Sequence, residues 1–257
     1  MALKTPHTHD QPGRPARIQM RESAGLNTHA RVYAALRAEV AGGRVFEIPC
    51  GSGAFLARLE GGPYKVMGAD LDPRILRAQP PSLVADMSAP LPLKTGSVEG
   101  IVSIEGIEHI RRPFDFVSEC RRVLKPGGYL FLTTPNISSA RSRWRWFLTG
   151  FHNKAKYPLD EARPALRHHI TMLSFPELRY MLHTQGFELT SVQTNRIKTA
   201  SWLYAICWPL QWLVGAWTLR RGAKNPEHAR IIAETRRQLL SRAVFFGESL
   251  ILVARAR

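Results

Sequence analysis

Apolar side chains recur along this chain with two alternating rhythms. Between Asn27 and Val40 they return every three or four residues, placing Val32, Ala35, Leu36 and Val40 on one face, which predicts a helix. Gly42-Gly43 breaks that spacing, and Arg44–Ile48 is a short apolar run suited to a buried strand. A glycine-rich turn follows, and Ala54–Glu60 resumes helical spacing. Further strands are predicted over Lys65–Asp70, Ser82–Asp86 and Val98–Ile104. Pro73–Ala78 reads as a short helix with its proline in the first turn, where a missing N–H costs nothing. Pro113–Leu124 reads as an amphipathic helix stopped by Lys125-Pro126-Gly127-Gly128, with a fifth strand over Tyr129–Thr134. Ser174 and Glu177 have capping-box spacing and open a helix that Gly186 closes. Phe187–Thr194 and Ser249–Ala254 are the last two strands.

Strands alternating with helices predict an α/β fold with a mainly parallel sheet and helices on both faces. In such sheets ligands sit beyond the carboxyl ends of the strands. Residues 1–20 are polar, rich in proline and histidine and without an apolar core, so they read as a flexible tail rather than a secretory signal. Residues 21–257 read as one domain, with a long polar and aromatic loop region over 135–173 and an apolar and basic insertion over 196–241.

Four segments bring candidate chemistry to the predicted carboxyl edge. Val45-Phe46-Glu47-Ile48-Pro49-Cys50-Gly51-Ser52-Gly53 joins a strand to a helix, and Gly51 and Gly53 allow close approach of a ligand to the backbone. Many nucleotide-binding folds, and some plain turns, share that feature. Asp70, in Gly68-Ala69-Asp70-Leu71-Asp72, can accept hydrogen bonds from vicinal ribose hydroxyls, or can cap a helix. Asp86 and Met87 suit an adenine amino group and a purine face, or a turn and a core position. Glu105, Glu108 and His109 follow the fourth strand in Ile104-Glu105-Gly106-Ile107-Glu108-His109-Ile110, which also fits a surface turn.

Taken together, these segments resemble the class I S-adenosylmethionine-dependent methyltransferases. The resemblance extends through Phe116–Leu130, with its Lys-Pro-Gly-Gly turn. His169–Leu178 and Gln185–Glu188 are similar to the small-molecule branch, which includes ubiquinone and menaquinone biosynthesis methyltransferases. It implies a Rossmann-like, seven-stranded sheet whose last strand is antiparallel, and S-adenosylmethionine as cofactor. It also implies Glu47, Gly51 and Gly53 around the methionine part, Asp70 on the ribose, Asp86 and Met87 at the adenine, Glu105 beneath, and Leu71 as a further cofactor contact. One departure is Pro49, where the family usually has glycine; a possible backbone donor is lost there. A nicotinamide dehydrogenase fingerprint would want a third glycine where this chain has Leu56.

A sulfonium methyl is already activated, so transfer needs alignment and, for a hydroxyl or amine acceptor, removal of a proton. His109, His168 and His169 are the candidate bases, each equally able to serve as a structural hydrogen-bonder. No cluster of metal-binding carboxylates is legible, so no metal is expected, and the motif of DNA amine methyltransferases is absent after the fourth strand. Cys50, Cys120 and Cys207 lie far apart without CxxC spacing, which argues against a disulfide framework or zinc site and for a reducing cytoplasm.

Charge and aromatic content change the picture of partners. The net charge is +16, favouring an anionic partner or a solubilising arginine-rich surface. Residues 199–219 contain no charged side chain except at their flanks, yet hold Trp202, Trp208, Trp212 and Trp217. A single membrane span is rejected, because the chain must return to supply Ser249–Ala254, and Pro209 interrupts the middle. An interfacial helix or shallow re-entrant hairpin is expected instead, on the inner face of the membrane. Arg141-Ser142-Arg143-Trp144-Arg145-Trp146-Phe147-Leu148 is a second basic-aromatic stretch able to face the same anionic surface. A dimer interface or internal lid is the other reading of both. The acceptor is expected to be a small or lipid-linked molecule; an RNA acceptor, or a cofactor-binding module without turnover, are the alternatives.

Overall fold

The computed structural model describes residues 24–74, 81–220 and 222–257. The predicted tail, and Pro73–Ala78 from residue 75 onward, lie outside the described residues. Seven strands form one sheet in the order β3-β2-β1-β4-β5-β7-β6. They are β1 (Gly43–Glu47), β2 (Tyr64–Asp70), β3 (Ser82–Val84), β4 (Val98–Ile104), β5 (Leu124–Pro135), β6 (Phe187–Thr194) and β7 (Ser249–Ala256). The first five strands pair in parallel, and β7 inserts antiparallel between β5 and β6, in line with the expected mainly parallel sheet and antiparallel last strand.

Successive residues of the central strands feed opposite cores. Val45 and Val102 pack with Val32, Leu36, Phe55 and Leu59 of α1 (Thr28–Glu39) and α2 (Ala54–Leu59). Their neighbours Phe46 and Ile101 pack with Phe116 and Val117 of α3 (Pro113–Val123) and Leu178 and Leu182 of α5 (Phe175–Thr184). The period-two alternation of a strand therefore demands apolar side chains at every position when helices cover both faces.

Strand ends differ from the sequence reading by a residue or two at β1, β2 and β7, and three further differences have local reasons. The Lys125–Gly128 turn does not precede the fifth strand but lies inside it. β5 begins at Leu124, Gly127 takes φ +77°, and the register against β4 shifts between Val98 and Gly100. β3 ends at Val84, because Asp86 has turned to accept from the Ser88 N–H at 2.7 Å. The segment 135–173 is not wholly loop: Ser139 caps α4 (Ala140–Thr149) by accepting from the Ser142 N–H, so the basic-aromatic stretch is helical.

The insertion is built from a 3-10 helix (Thr199–Ile206) followed by α6 (Cys207–Arg220), α7 (Pro226–Leu239) and α8 (Arg242–Phe246). Pro209 does not interrupt α6; it stands in its first turn, where no intrahelical N–H bond is owed. Among the described residues no helix is long and apolar enough to cross a membrane. Ala140, Phe245 and Phe246 form a third small core, against which Ile197, Tyr204 and Cys207 pack, docking α4 and the insertion on the sheet's carboxyl side.

Candidate functional site

The carboxyl edge of the parallel strands opens into a cleft of about 790 Å³. Its walls include Asp70, Leu71, Asp86 and Met87 on one side and Gly106, His109 and His168 on the other. Six of the expected cofactor or base residues, from four separate segments, thus meet in one space: Asp70, Leu71, Asp86, Met87, His109 and His168. Leu71 is 41% exposed at the rim.

The β1–α2 turn is shaped by backbone conformation. Gly51 and Gly53 both take positive φ, and Gly53 is the left-handed residue that starts α2. Asp70 organises the turn from the end of β2: one carboxylate oxygen accepts the Gly51 N–H at 2.9 Å and the other the Asp72 N–H at 3.0 Å. Each carboxylate oxygen has a second lone pair, so the group retains capacity for two incoming hydroxyls. Gly51 and Gly53 shape the turn without lining the cleft.

Pro49 follows a cis peptide bond and forms part of the cleft wall. A Cβ on Gly106 would run into the Pro49 ring and come within 3.2 Å of the Met87 methyl carbon. Glycine at 106 is therefore the steric counterpart of proline at 49, a link between two motifs that neither motif displays alone.

Glu47 ends β1 with 2% of its surface exposed, and its Oε2 lacks a hydrogen-bond partner. Burial raises its carboxyl well above the ordinary range, opposed by the Leu56 backbone and reinforced by the charge of Asp70. An orphaned buried carboxyl oxygen here suits an ammonium group. Glu105 does not line the cleft. It holds φ +46° and accepts from the Ser249 hydroxyl at 2.9 Å, tying the β4 end to β7.

The histidines separate by position. His109 Nδ1 lies 3.0 Å from the His168 carbonyl oxygen. A carbonyl only accepts, so a neutral His109 carries its proton on Nδ1 and leaves Nε2 as an acceptor. His169 stands edge-on to His109 with ring centroids 4.9 Å apart and is not among the cleft residues. Burial, then the charges of His109 and Lys154, lower its pKa.

Next to His109 in sequence, Glu108 is fully buried. Burial pushes it up to about 8. Glu108, His109 and His169 bring one potential ligand atom each within 4.8 Å of one another, an arrangement able to hold a cation. Sequence reasoning missed this set because the two histidines are sixty residues apart in the chain (109 and 169) and meet only through the long connection after β5.

Residues 46–132 match the methyltransferase domain model. A probable S-adenosylmethionine-dependent methyltransferase of Mycolicibacterium smegmatis is 31% identical over 173 residues, covering 65% of this chain and 61% of that protein. A ubiquinone biosynthesis O-methyltransferase of Xanthomonas oryzae is 31% identical over 128 residues, covering 45% of this chain and 52% of that protein. The chain thus spans between half and two thirds of the length of these relatives. A methyltransferase structure from Archaeoglobus fulgidus superposes with TM-score 0.54 at 19% identity, covering 88% of this chain and 92% of that one, which bears on the fold alone. The domain match over residues 46–132 and the two relatives make the chain similar to S-adenosylmethionine-dependent methyltransferases, and the sheet has the Rossmann-like, mainly parallel form expected of them.

Proposed function

We propose that this protein transfers a methyl group from S-adenosylmethionine to a small-molecule or lipid-linked acceptor at a membrane surface. The observation that carries the reading is the placement of Asp70, at the end of β2, in a cleft it shares with Asp86, Met87 and His109. The residues fit the cofactor. Asp70 would hold the ribose hydroxyls, Leu71 would flank them, and Asp86 and Met87 would hold the adenine. Glu47 and the Gly51–Gly53 turn flank the cleft-lining Ile48 and Pro49 in sequence without lining the cleft themselves, and would bracket the methionine end, with Glu105 bracing β4 through Ser249. When bound, the cofactor supplies an electrophilic methyl that needs no further activation.

The chain's own task is then positioning and proton removal. His109 lines the cleft, and its Nδ1–H is fixed on the His168 carbonyl, which leaves Nε2 able to accept a proton, as a general base requires. His168 contributes its backbone oxygen to that arrangement as well as a ring in the wall. His169 supports His109 from behind.

Membrane association is supported by exposed apolar side chains on α4 and the insertion. Phe147 is 74% exposed, Leu203 78% and Ile206 83%. Arg143 of α4 donates to Gln211 of α6 at 2.6 Å, so the two aromatic stretches are tied together. Large exposed apolar areas beside cations mark interfaces of this kind. An RNA acceptor is the second reading, favoured by Arg111, Arg112 and Arg167 at the cleft wall.

Calorimetry with S-adenosylmethionine tests the first step: Asp70→Ala is expected to weaken binding by at least about tenfold, the loss of one or two charge-assisted hydrogen bonds. Full affinity in that variant would overturn the assignment. Transfer of labelled methyl into a lipid extract rather than an RNA extract tests the acceptor class.

A further inference from the structure

A second, smaller cavity of about 190 Å³ lies at the same carboxyl edge but over β5, β6 and β7. It is about a quarter the volume of the cofactor cleft and below the usual range for a whole small-molecule ligand. Its wall is dominated by cations. Arg141, Lys154, Lys156 and Lys198 line it, with Glu248 as the one carboxylate among its lining residues. Glu248 already faces three cations: Lys198 at 2.7 Å, Lys154 at 3.7 Å and Arg196. Among the described residues neither Arg141 nor Lys156 forms an ion pair, so the cavity keeps an excess of positive charge.

The placement of Arg141 sharpens the point. It stands in the first turn of α4, a ten-residue helix with no acidic residue in that turn. A cation there opposes the positive end of the helix dipole, and the arrangement is relieved when an anion sits between them. Ser139 lines the cavity at the same helix end. Arg141 is itself half-buried. The cavity also adjoins the proposed reaction centre: Lys154 lines it and bears electrostatically on both Glu108 and His169. Its other wall is Ser201 of the 3-10 helix, next to the exposed Trp202 and Leu203.

We infer that this cavity is a phosphate or diphosphate subsite, formed by Arg141, Lys154, Lys156 and Lys198, that holds the anionic group of the acceptor. A headgroup held here would let an attached chain run over the aromatic surface of the insertion while another part of the molecule reaches His109. The inference names the acceptor's chemistry and rests on the proposed methyl transfer for that last step only. The anion site itself is independent of it.

Titration of the full chain with pyrophosphate tests the site. Saturable binding is expected, weakened by about tenfold or more in Arg141→Gln/Lys156→Gln, as befits loss of two charge-assisted contacts. Arg31→Gln/Lys65→Gln removes equal charge from α1 and β2 and is expected to leave the affinity nearly unchanged. Arg141→Lys/Lys156→Arg, which keeps the charge, is expected to restore binding and guards against a folding defect. No saturable binding to the wild type, or equal losses in the two glutamine variants, overturns the site.

Flotation with phosphatidylglycerol vesicles identifies the source of the anion. If pyrophosphate displaces the protein from vesicles and the pocket variant floats less than the control variant, the ligand is a lipid headgroup. If pyrophosphate binds and flotation ignores the pocket variant, it is a free phosphate-bearing molecule. Both results keep the site. S-adenosylmethionine affinity is expected to be the same in all these variants. A wild type that binds pyrophosphate but not S-adenosylmethionine would overturn the proposed function and leave the anion site standing.

Discussion

His109, Gly106 and Glu248 each do work that depends on a specific neighbour. His109 has its tautomer set by the His168 carbonyl, so His109→Gln is expected to lower kcat by on the order of a hundredfold or more while leaving S-adenosylmethionine affinity intact. Unchanged kcat would return His109 to a structural role. Gly106 has no room for a side chain because the Pro49 ring occupies it. Gly106→Ala is therefore expected to cost about 1–3 kcal/mol in chemical denaturation, the usual range for overpacking. Adding Pro49→Gly should recover part of that loss, and strict additivity of the two changes would refute the contact. Motif reading located both residues but not their mutual dependence, since a steric exclusion between positions 49 and 106 leaves no periodic trace in the sequence.

At the scale of elements, capping and charge decide what spacing alone does not. The Ser174–Glu177 box was legible, and it opens α5 as read, Glu177 accepting the Ser174 N–H at 2.7 Å. α4 was not, because its arginines and aromatics alternate without a clean apolar stripe, although Ser139 stands as an N-cap signal before it. Pro209 misled for a related reason: a proline breaks a helix only when it falls after the first turn, and the start of α6 at Cys207 is set by the packing of Ile197, Tyr204 and Cys207 on Phe245 and Phe246.

Glu248 joins the end of β6 to the start of β7 and to the loop after α4. Burial pushes its carboxyl up, but hydrogen bonds from Arg196 and Lys198 and the charge of Lys154 hold it at about 2. Its folded value lies below the ordinary carboxylate range, so its stabilisation is complete above roughly pH 4–5 and is lost as pH falls toward 2. Glu248→Gln is expected to lower stability at neutral pH by at most about 3 kcal/mol and to flatten the acid side of a thermal-midpoint profile between roughly pH 5 and 2. An acid limb as steep as that of the wild type would show that other carboxylates carry it.

For the molecule as a whole, the sheet's existence was legible from runs such as Ile101–Val102, but the place of β7 was not a local property. It is fixed in part by Asn195, which is 1% exposed. Its amide donates to the Thr28 hydroxyl at 3.2 Å and its oxygen accepts the Ser249 N–H at 3.1 Å. One buried side chain thus pins the start of α1, the end of β6 and the start of β7, contacts 167 and 54 residues apart in sequence. The consequence for function is that α4 and the insertion, emerging after β5 and β6, are brought to one side of the cleft. Their exposed apolar side chains contribute little to the folded core. Leu203→Asp/Ile206→Asp changes positions 78% and 83% exposed, and is expected to leave the thermal midpoint nearly unmoved. The same variant is expected to lose most vesicle binding in flotation, because two carboxylates would have to enter an anionic interface. Wild-type flotation in that variant would count against a membrane contact through these side chains, and a large fall in thermal midpoint would show that they pack against protein.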